Sequence, residues 1–167
     1  HPQPTAKATA LAYLLFERPD LQQAERFLND FGLHTVASKP DTLYLRAMDS
    51  QPWCYRVTRG STERFIGMGY TVATRAELIA LSRLPGASSI ETLDAPGGGE
   101  VVRLTDPNGF RVEVVHGRGQ VAPLQRRAPL PANHDATLPR INNTQRPPAE
   151  PPEILKLGHV AIEAAAY

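Results

Sequence analysis

The chain repeats one order of elements, a strand, a helix and three strands, and this repetition limits the folds open to it. The first copy predicts a strand, a helix and three strands over residues 9–16, 21–31, 33–38, 42–47 and 53–58. The second predicts the same order over residues 64–73, 75–84, 90–93, 100–105 and 110–116. Each copy alone has a small core, so we expect an α+β fold in which two βαβββ modules pack as a pair.

Residues at the turns support these bounds. Asp20 precedes the first helix as an N-cap, and Thr74 with Glu77 has the spacing of a capping box at the start of the second. The segment Asp106-Pro107-Asn108-Gly109 predicts a hairpin between the last two strands. Proline suits the second position of such a turn and glycine tolerates a positive φ.

Composition narrows the function classes. The 167 residues include 41% hydrophobic residues, enough to bury one core, and 18 basic residues nearly balance 17 acidic ones. The net charge of +1 predicts no basic face, so we expect neither nucleic acid nor a membrane surface as a partner. Cys54 is the only cysteine, which excludes an internal disulfide and favours a reducing, cytoplasmic location.

The composition changes after the second copy. Residues 1–117 are predicted to form the paired-module domain, residues 118–153 a proline-rich linker, and residues 154–167 the opening strand of a further domain. The last segment aligns with the first strand of the chain and sets His159 opposite Tyr13. The linker also carries four arginines that we interpret as solvated or as clasping the surface: Arg126, Arg127, Arg140 and Arg146.

Several motifs together carry a family resemblance. The paired modules, the segment from Leu104 to Glu113, the proline-rich crossing and the sequence Leu157-Gly158-His159-Val160 resemble the vicinal oxygen chelate superfamily. Within it, the chain is similar to the N-terminal domain of two-domain type I extradiol (catechol-type) dioxygenases, ending at the start of the catalytic domain. The similarity extends over residues 9–163.

The resemblance implies where a metal would bind. In that family the N-terminal domain is usually metal-free, and the C-terminal domain binds Fe(II) through two histidines and one glutamate. His159 matches the first histidine, and its two partners would lie beyond Tyr167, so we expect no iron at His159 in this chain. The corresponding N-terminal positions are Tyr13, a residue near Gly67, and Glu113, which we interpret as solvent-facing or structural.

The first functional hypothesis follows from this implied site. The chain would be the N-terminal part of an Fe(II)-dependent extradiol dioxygenase that cleaves an aromatic diol, and it would be inactive alone. A facial site of two imidazoles and one carboxylate leaves positions on iron for a catecholate and for dioxygen. The edge of the predicted strand over residues 154–163 should also pair with another copy, which predicts a homo-oligomer.

The alternative is a non-catalytic small-molecule-binding protein of the glyoxalase/bleomycin-resistance type, whose cup Tyr13, Trp53 and Tyr70 would line. A glyoxalase-type isomerase is a third hypothesis, which Tyr13 disfavours because a phenol cannot replace a neutral imidazole ligand. Other residues predict no site, because they lack partners at suitable spacing: His34, His116, His134, Cys54 and Gly97-Gly98-Gly99.

Overall fold

The computed structural model describes residues 4–141 and 149–163, and within them it has the predicted order of elements. The first module consists of β1 Ala8–Arg18, α1 Leu21–Asp30, β2 His34–Lys39, β3 Thr42–Arg46 and β4 Tyr55–Arg59. The second consists of β5 Arg64–Val72, α2 Arg75–Leu81, β6 Glu91–Thr92, β7 Glu100–Thr105 and β8 Arg111–His116. Neither helix in these residues has the length and apolar content needed to cross a bilayer.

The two modules form one eight-stranded sheet in the order β2-β3-β4-β1-β5-β8-β7-β6. In each module the first strand runs parallel to the last, β1 beside β4 and β5 beside β8. The antiparallel pair of β1 and β5 joins the modules at the centre of the sheet. The predicted α+β fold of paired βαβββ modules is therefore confirmed.

Both helices pack on one face of this sheet, each over the strands of its own module. Leu21 of α1 packs with Leu43 and Val57, while Leu78 of α2 packs with Val102. Side chains of alternate strand positions point to the other face. That face, which we call the cup, has its own buried cluster: Ala12, Tyr13, Leu15, Tyr44, Trp53, Leu93, Val101 and Val115.

The caps and the hairpin form as the sequence predicted. The Asp20 carboxylate accepts a hydrogen bond from the backbone N–H of Gln23, and Thr74 and Glu77 form a complete capping box. In the hairpin, Asp106 Oδ1 accepts hydrogen bonds from the backbone N–H groups of Asn108 at 2.9 Å and Phe110 at 2.7 Å. These local bonds fix the turn before β8, and with it the position of the residues that β8 places in the cup.

The linker does not leave the domain but returns along the turn after β3. The N–H of Leu124 donates to the carbonyl of Met48 at 2.9 Å, and the N–H of Met48 donates to the carbonyl of Ile154 at 2.9 Å. Met48 is thus held between the two limbs of the linker. Arg127 joins these limbs through the carboxylates of Glu150 and Glu153.

Arg127 pairs with carboxylates of the linker itself rather than of the domain surface, so the predicted clasping of the surface stays a prediction, and Arg146 lies outside the described residues. The segment over residues 154–163 differs from its prediction, because the structure assigns it no strand. Among its described residues, Ile154 bonds to the domain backbone, and Leu157 packs against the cluster under α1. A strand needs a ladder of backbone hydrogen bonds to a neighbouring strand, and this segment forms no such ladder within the described residues. Residues 164–167 lie outside the described part, and pairing between copies stays a prediction.

Candidate functional site

Three residues lie side by side across the central strands of the cup. The strand register pairs Tyr13 of β1 with Gly69 of β5, and Gly69 with Glu113 of β8. The sequence had placed the middle position near Gly67. The register of β1 against β5 shifts between Leu11 and Tyr13, which shows why counting along the chain does not identify the partner. This row is the site that the resemblance associates with metal ligands.

Gly69 leaves room for the ring of Tyr13 to cross β5. A Cβ atom at Gly69 would lie 2.4 Å from the ring carbons of Tyr13, too close for any side chain. The phenol reaches Glu113, and its hydroxyl donates a hydrogen bond to Glu113 Oε2 at 2.7 Å. The tyrosine therefore occupies the space that a side chain of the middle strand would fill.

Glu113 is the central charge of the cup and is fully buried, with 0% of its surface exposed. Its Oε1 accepts hydrogen bonds from Arg56 Nη2 at 3.2 Å and Arg103 Nε at 3.4 Å, and Arg111 Nη1 lies 4.0 Å away. A buried carboxylate requires such partners, because an unpaired charge would lose its hydration without compensation. The prediction of a solvent-facing Glu113 is wrong, and the structural interpretation stands.

The environment of Tyr13 keeps its hydroxyl protonated. Burial raises the pKa of this phenol far above its usual value, and the negative charge of Glu113 and the hydrogen bond to it raise the pKa further. The phenol thus acts as a hydrogen-bond donor to Glu113. Because Tyr13 donates and Arg56 and Arg103 supply positive charge, the row satisfies its carboxylate with protein groups and does not fit a metal ion.

The end of the cup beyond Tyr13 is closed by aromatic packing. The rings of Tyr13 and Trp53 stack with centroids 4.1 Å apart, and Trp53 Nε1 donates to the carbonyl of Pro96 at 3.0 Å. The guanidinium of Arg118 lies over both rings, 5.1 Å and 4.7 Å from their centroids, and donates to the carbonyl of Trp53. Burial lowers the pKa of Arg118 from its usual value.

This packing corrects the expected lining of the cup. Tyr13 and Trp53 are both fully buried, so they are core residues rather than an accessible binding surface. Tyr70 neighbours Gly69 on β5 and therefore points to the opposite face, where its hydroxyl donates to the sulfur of Met68. The binding surface predicted from these aromatic residues is not formed.

The opposite end of the cup is open. A polar cavity of about 420 Å³ lies there, and its walls include Thr58, Arg64, Phe65, Thr105, Phe110 and Arg111. Glu17 also lines it and accepts hydrogen bonds from Arg64 at 3.0 Å and from the hydroxyl of Thr62 at 2.8 Å. These two partners hold the pKa of Glu17 below its usual value. Arg111 connects this cavity to Glu113.

The remaining candidates stand apart from this row. His159 is exposed, and residues 4–141 and 149–163 contain no group of three or more His, Cys, Asp or Glu side chains suited to a metal. His134 contacts Thr137, and a ring nitrogen of His116 lies 3.4 Å from the carbonyl of Val72. Cys54 is a packed thiol whose pKa burial raises to about 12. The described residues therefore do not fit an iron site.

Sequence reasoning missed three arginines and one glycine that shape the site: Arg56, Arg103, Arg118 and Gly69. A signal for two of them was available. Arg56 alternates with buried Val57 on β4, and Arg103 alternates with buried Val102 on β7, so both had to face away from the helices. Arg118 gave no comparable signal because it follows the last strand.

Comparisons with known proteins show which proteins the chain resembles. No protein-family model matches the chain. Metapyrocatechase 2 of Cupriavidus necator is 30% identical over 114 residues, which are 67% of this chain and 35% of that enzyme. The structure resembles a Mn(II)-bound glyoxalase from Novosphingobium aromaticivorans, with a TM-score of 0.66, 21% identity and coverage of 74% of this chain and 43% of the other.

It also resembles homoprotocatechuate 2,3-dioxygenase from Brevibacterium fuscum in its complex with 3,4-dihydroxyphenylacetate. That likeness has a TM-score of 0.60 and 24% identity, and it covers 74% of this chain and 42% of the other. The chain thus spans less than half the length of each of these three proteins. At these identities the two structural likenesses show the fold alone.

Proposed function

We propose that this chain, which has the vicinal oxygen chelate fold that its sequence predicted, is the N-terminal part of an Fe(II)-dependent extradiol dioxygenase acting on an aromatic diol. The observation that carries the proposal is the 30% identity to metapyrocatechase 2 over 114 residues. The course of the chain adds support, because the linker leads directly into the sequence Leu157-Gly158-His159-Val160. We infer that this protein is cytoplasmic and that it assembles as a homo-oligomer.

In this proposal the described domain acts as a scaffold rather than as the reaction centre. The row of Tyr13, Gly69 and Glu113 lacks imidazole donors, and its single carboxylate already binds two guanidinium groups. Iron, when bound by two histidines and a carboxylate elsewhere, would supply open positions for the diol and for dioxygen. Of the described residues, only His159 would contribute a donor in this proposal, and it has none of its partners among them.

The second candidate function is a non-catalytic binding module. The polar cavity of about 420 Å³ at the open end of the cup favours it, because a binding protein needs accessible space and this end provides it. The linker, whose two limbs Arg127 joins, favours the first function, because a binding module alone needs no segment that leads into a further domain.

Reading the coding DNA downstream of Tyr167 separates the two functions. Tyr13 and Glu113 are 100 positions apart. If a second module repeats the spacing of the first, a histidine should follow His159 by about 50–65 residues and a glutamate by about 100–115 residues. Both residues in frame would support the dioxygenase, while a stop codon close to Tyr167 would contradict it.

Activity of the encoded protein gives the direct test. The purified full-length protein, reconstituted with Fe(II), is expected to consume dioxygen with catechol and to form the coloured ring-cleavage product. The variant His159→Gln should lose turnover and bound iron, and the matched variant His34→Gln should keep both. Full activity in His159→Gln, or no dioxygen uptake by iron-loaded protein with any catechol, would contradict the proposal.

A further inference from the structure

We propose that the open end of the cup binds the carboxylate of a small aromatic acid, with Arg111 as its main contact. The site belongs to the first 117 residues and involves neither iron nor a second domain. This proposal can therefore be tested independently of the dioxygenase proposal. Its evidence is the balance of charge, the position of Arg111 and the walls of the cavity.

Within the ion pairs and cavity walls at this end of the cup, guanidinium groups outnumber the carboxylates that pair with them. Four guanidinium groups and three carboxylates form ion pairs with one another or line this cavity. They are Arg56, Arg64, Arg103 and Arg111 with Glu17, Glu91 and Glu113. Each carboxylate has at least one close guanidinium partner. The surplus of one positive charge favours an additional anion at the point where it is accessible.

That surplus is located at Arg111. Its only ion-pair contact among the described residues is Glu113 at 4.0 Å, and this carboxylate is already bound more closely by Arg56 and Arg103. Nearly half of the Arg111 side chain, 48%, is exposed, and it lines the cavity. Because a guanidinium presents parallel N–H donors, it can bind a second carboxylate in a bidentate manner.

The walls of the cavity suit a flat ring attached to that carboxylate. Phe65 and Phe110 both line the cavity, and their ring centroids are 5.4 Å apart. A volume of about 420 Å³ exceeds by many times the share of one water molecule, roughly 30 Å³. An aromatic acid can therefore place its carboxylate at Arg111 and its ring against Phe65 or Phe110.

Glu17 lies on the same wall and does not oppose such a ligand. Its carboxylate is bound by Arg64 and by both the hydroxyl and the backbone N–H of Thr62. These bonds stabilise the ionised form and orient its charge toward Arg64. Among the described residues, Arg111 is therefore a cation of the cavity whose nearest paired carboxylate oxygen lies 4.0 Å away.

The test titrates benzoate into the ¹⁵N-labelled chain and follows backbone amide shifts. We expect saturable shifts at Thr105, Phe110 and Arg111, and no saturable shifts with benzamide, which has the same ring without the charge. Arg111→Gln should weaken benzoate binding by at least about 10-fold, because a charge-assisted bidentate contact is lost. The matched variant Arg83→Gln removes an exposed arginine elsewhere and should leave the affinity unchanged.

A second variant separates binding from folding. Arg111→Lys keeps the charge but loses the paired donors, so its affinity should lie between those of the wild type and Arg111→Gln, with an unchanged near-ultraviolet circular dichroism spectrum. Equal affinity in Arg111→Gln and the wild type would overturn the proposal. Equal losses of benzoate affinity in Arg111→Gln and Arg83→Gln would also overturn it. So would amide shifts confined to other regions of the chain, or no amide shifts at benzoate concentrations up to ~10 mM.

Discussion

The two ends of the cup are built from the same strands and have opposite characters. At the closed end, Trp53 and Tyr13 stack beneath Arg118, and the space is filled. At the open end, Arg64 and Arg111 line a polar cavity of about 420 Å³. Flat rings offer a large area for contact, so a single cation can cover them and still be partly buried. At the open end the rings of Phe65 and Phe110 pack on each other, and 48% of the Arg111 side chain stays exposed beside the cavity.

Glu113 lies at the boundary between the two ends. Its replacement is expected to lower the free energy of unfolding more than the other substitutions proposed below. Glu113→Gln leaves Arg56 and Arg103 without their buried counter-charge, so we expect a loss of about 3 kcal/mol in the free energy of unfolding. Urea denaturation followed by circular dichroism measures it. The exposed residue Glu63 gives the control Glu63→Gln, which should cost under about 0.5 kcal/mol. Similar losses in both variants would show that the ion cluster does not hold the two ends together.

Tyr13→Phe tests the hydrogen bond that joins the closed end to Glu113, and it is expected to have an intermediate effect on the free energy of unfolding. It removes the hydroxyl that donates to Glu113 at 2.7 Å but keeps the ring on Trp53, so we expect a loss of about 2 kcal/mol. Tyr70→Phe is the matched control, because its hydroxyl donates to the sulfur of Met68, a weak acceptor. Urea denaturation measures both variants. If the control loses as much stability as Tyr13→Phe, the charge on Glu113 does not strengthen the hydrogen bond from the Tyr13 hydroxyl.

Glu17→Gln tests the open end and is expected to have the smallest effect. Its hydrogen bonds to Arg64 and Thr62 hold the pKa of Glu17 below its usual value. A lowered pKa in the folded state gives stability above pH 4.5 that is lost as the pH falls through the folded-state pKa. Glu17→Gln should therefore lower Tm slightly at pH 7 and leave it unchanged near pH 2. Calorimetry at both pH values checks this, and an equal shift at both would show that Glu17 acts through packing instead.

Most of the architecture could be predicted because its signals are local. The capping box of Thr74 and Glu77 and the turn at Asp106 involve residues within four positions of one another. The partners of Glu113 could not be predicted in the same way. Arg56 lies 57 positions away and Tyr13 lies 100 positions away, and only the order of strands in the sheet brings them together.

The middle position of the row shows a second limit. The family resemblance implied a position near Gly67 without identifying the residue, and the register places Gly69, two residues further on, between Tyr13 and Glu113. An irregularity in the pairing of β1 and β5 decides this, and it depends on the packing of both strands rather than on either sequence alone. The strand predicted over residues 154–163 failed for a related reason, since an apolar, alternating segment forms a strand only when a partner edge is present.

The anchored linker has a consequence for how the chain responds to a protease. Val121 and Leu124 bond to the turn at Met48 from one side and Ile154 bonds from the other, while Arg127 bridges to Glu150 and Glu153. A tryptic cut after Arg140 would therefore break the covalent chain without releasing the distal fragment. The nicked protein should elute as one species on gel filtration and separate into two bands only in a denaturing gel.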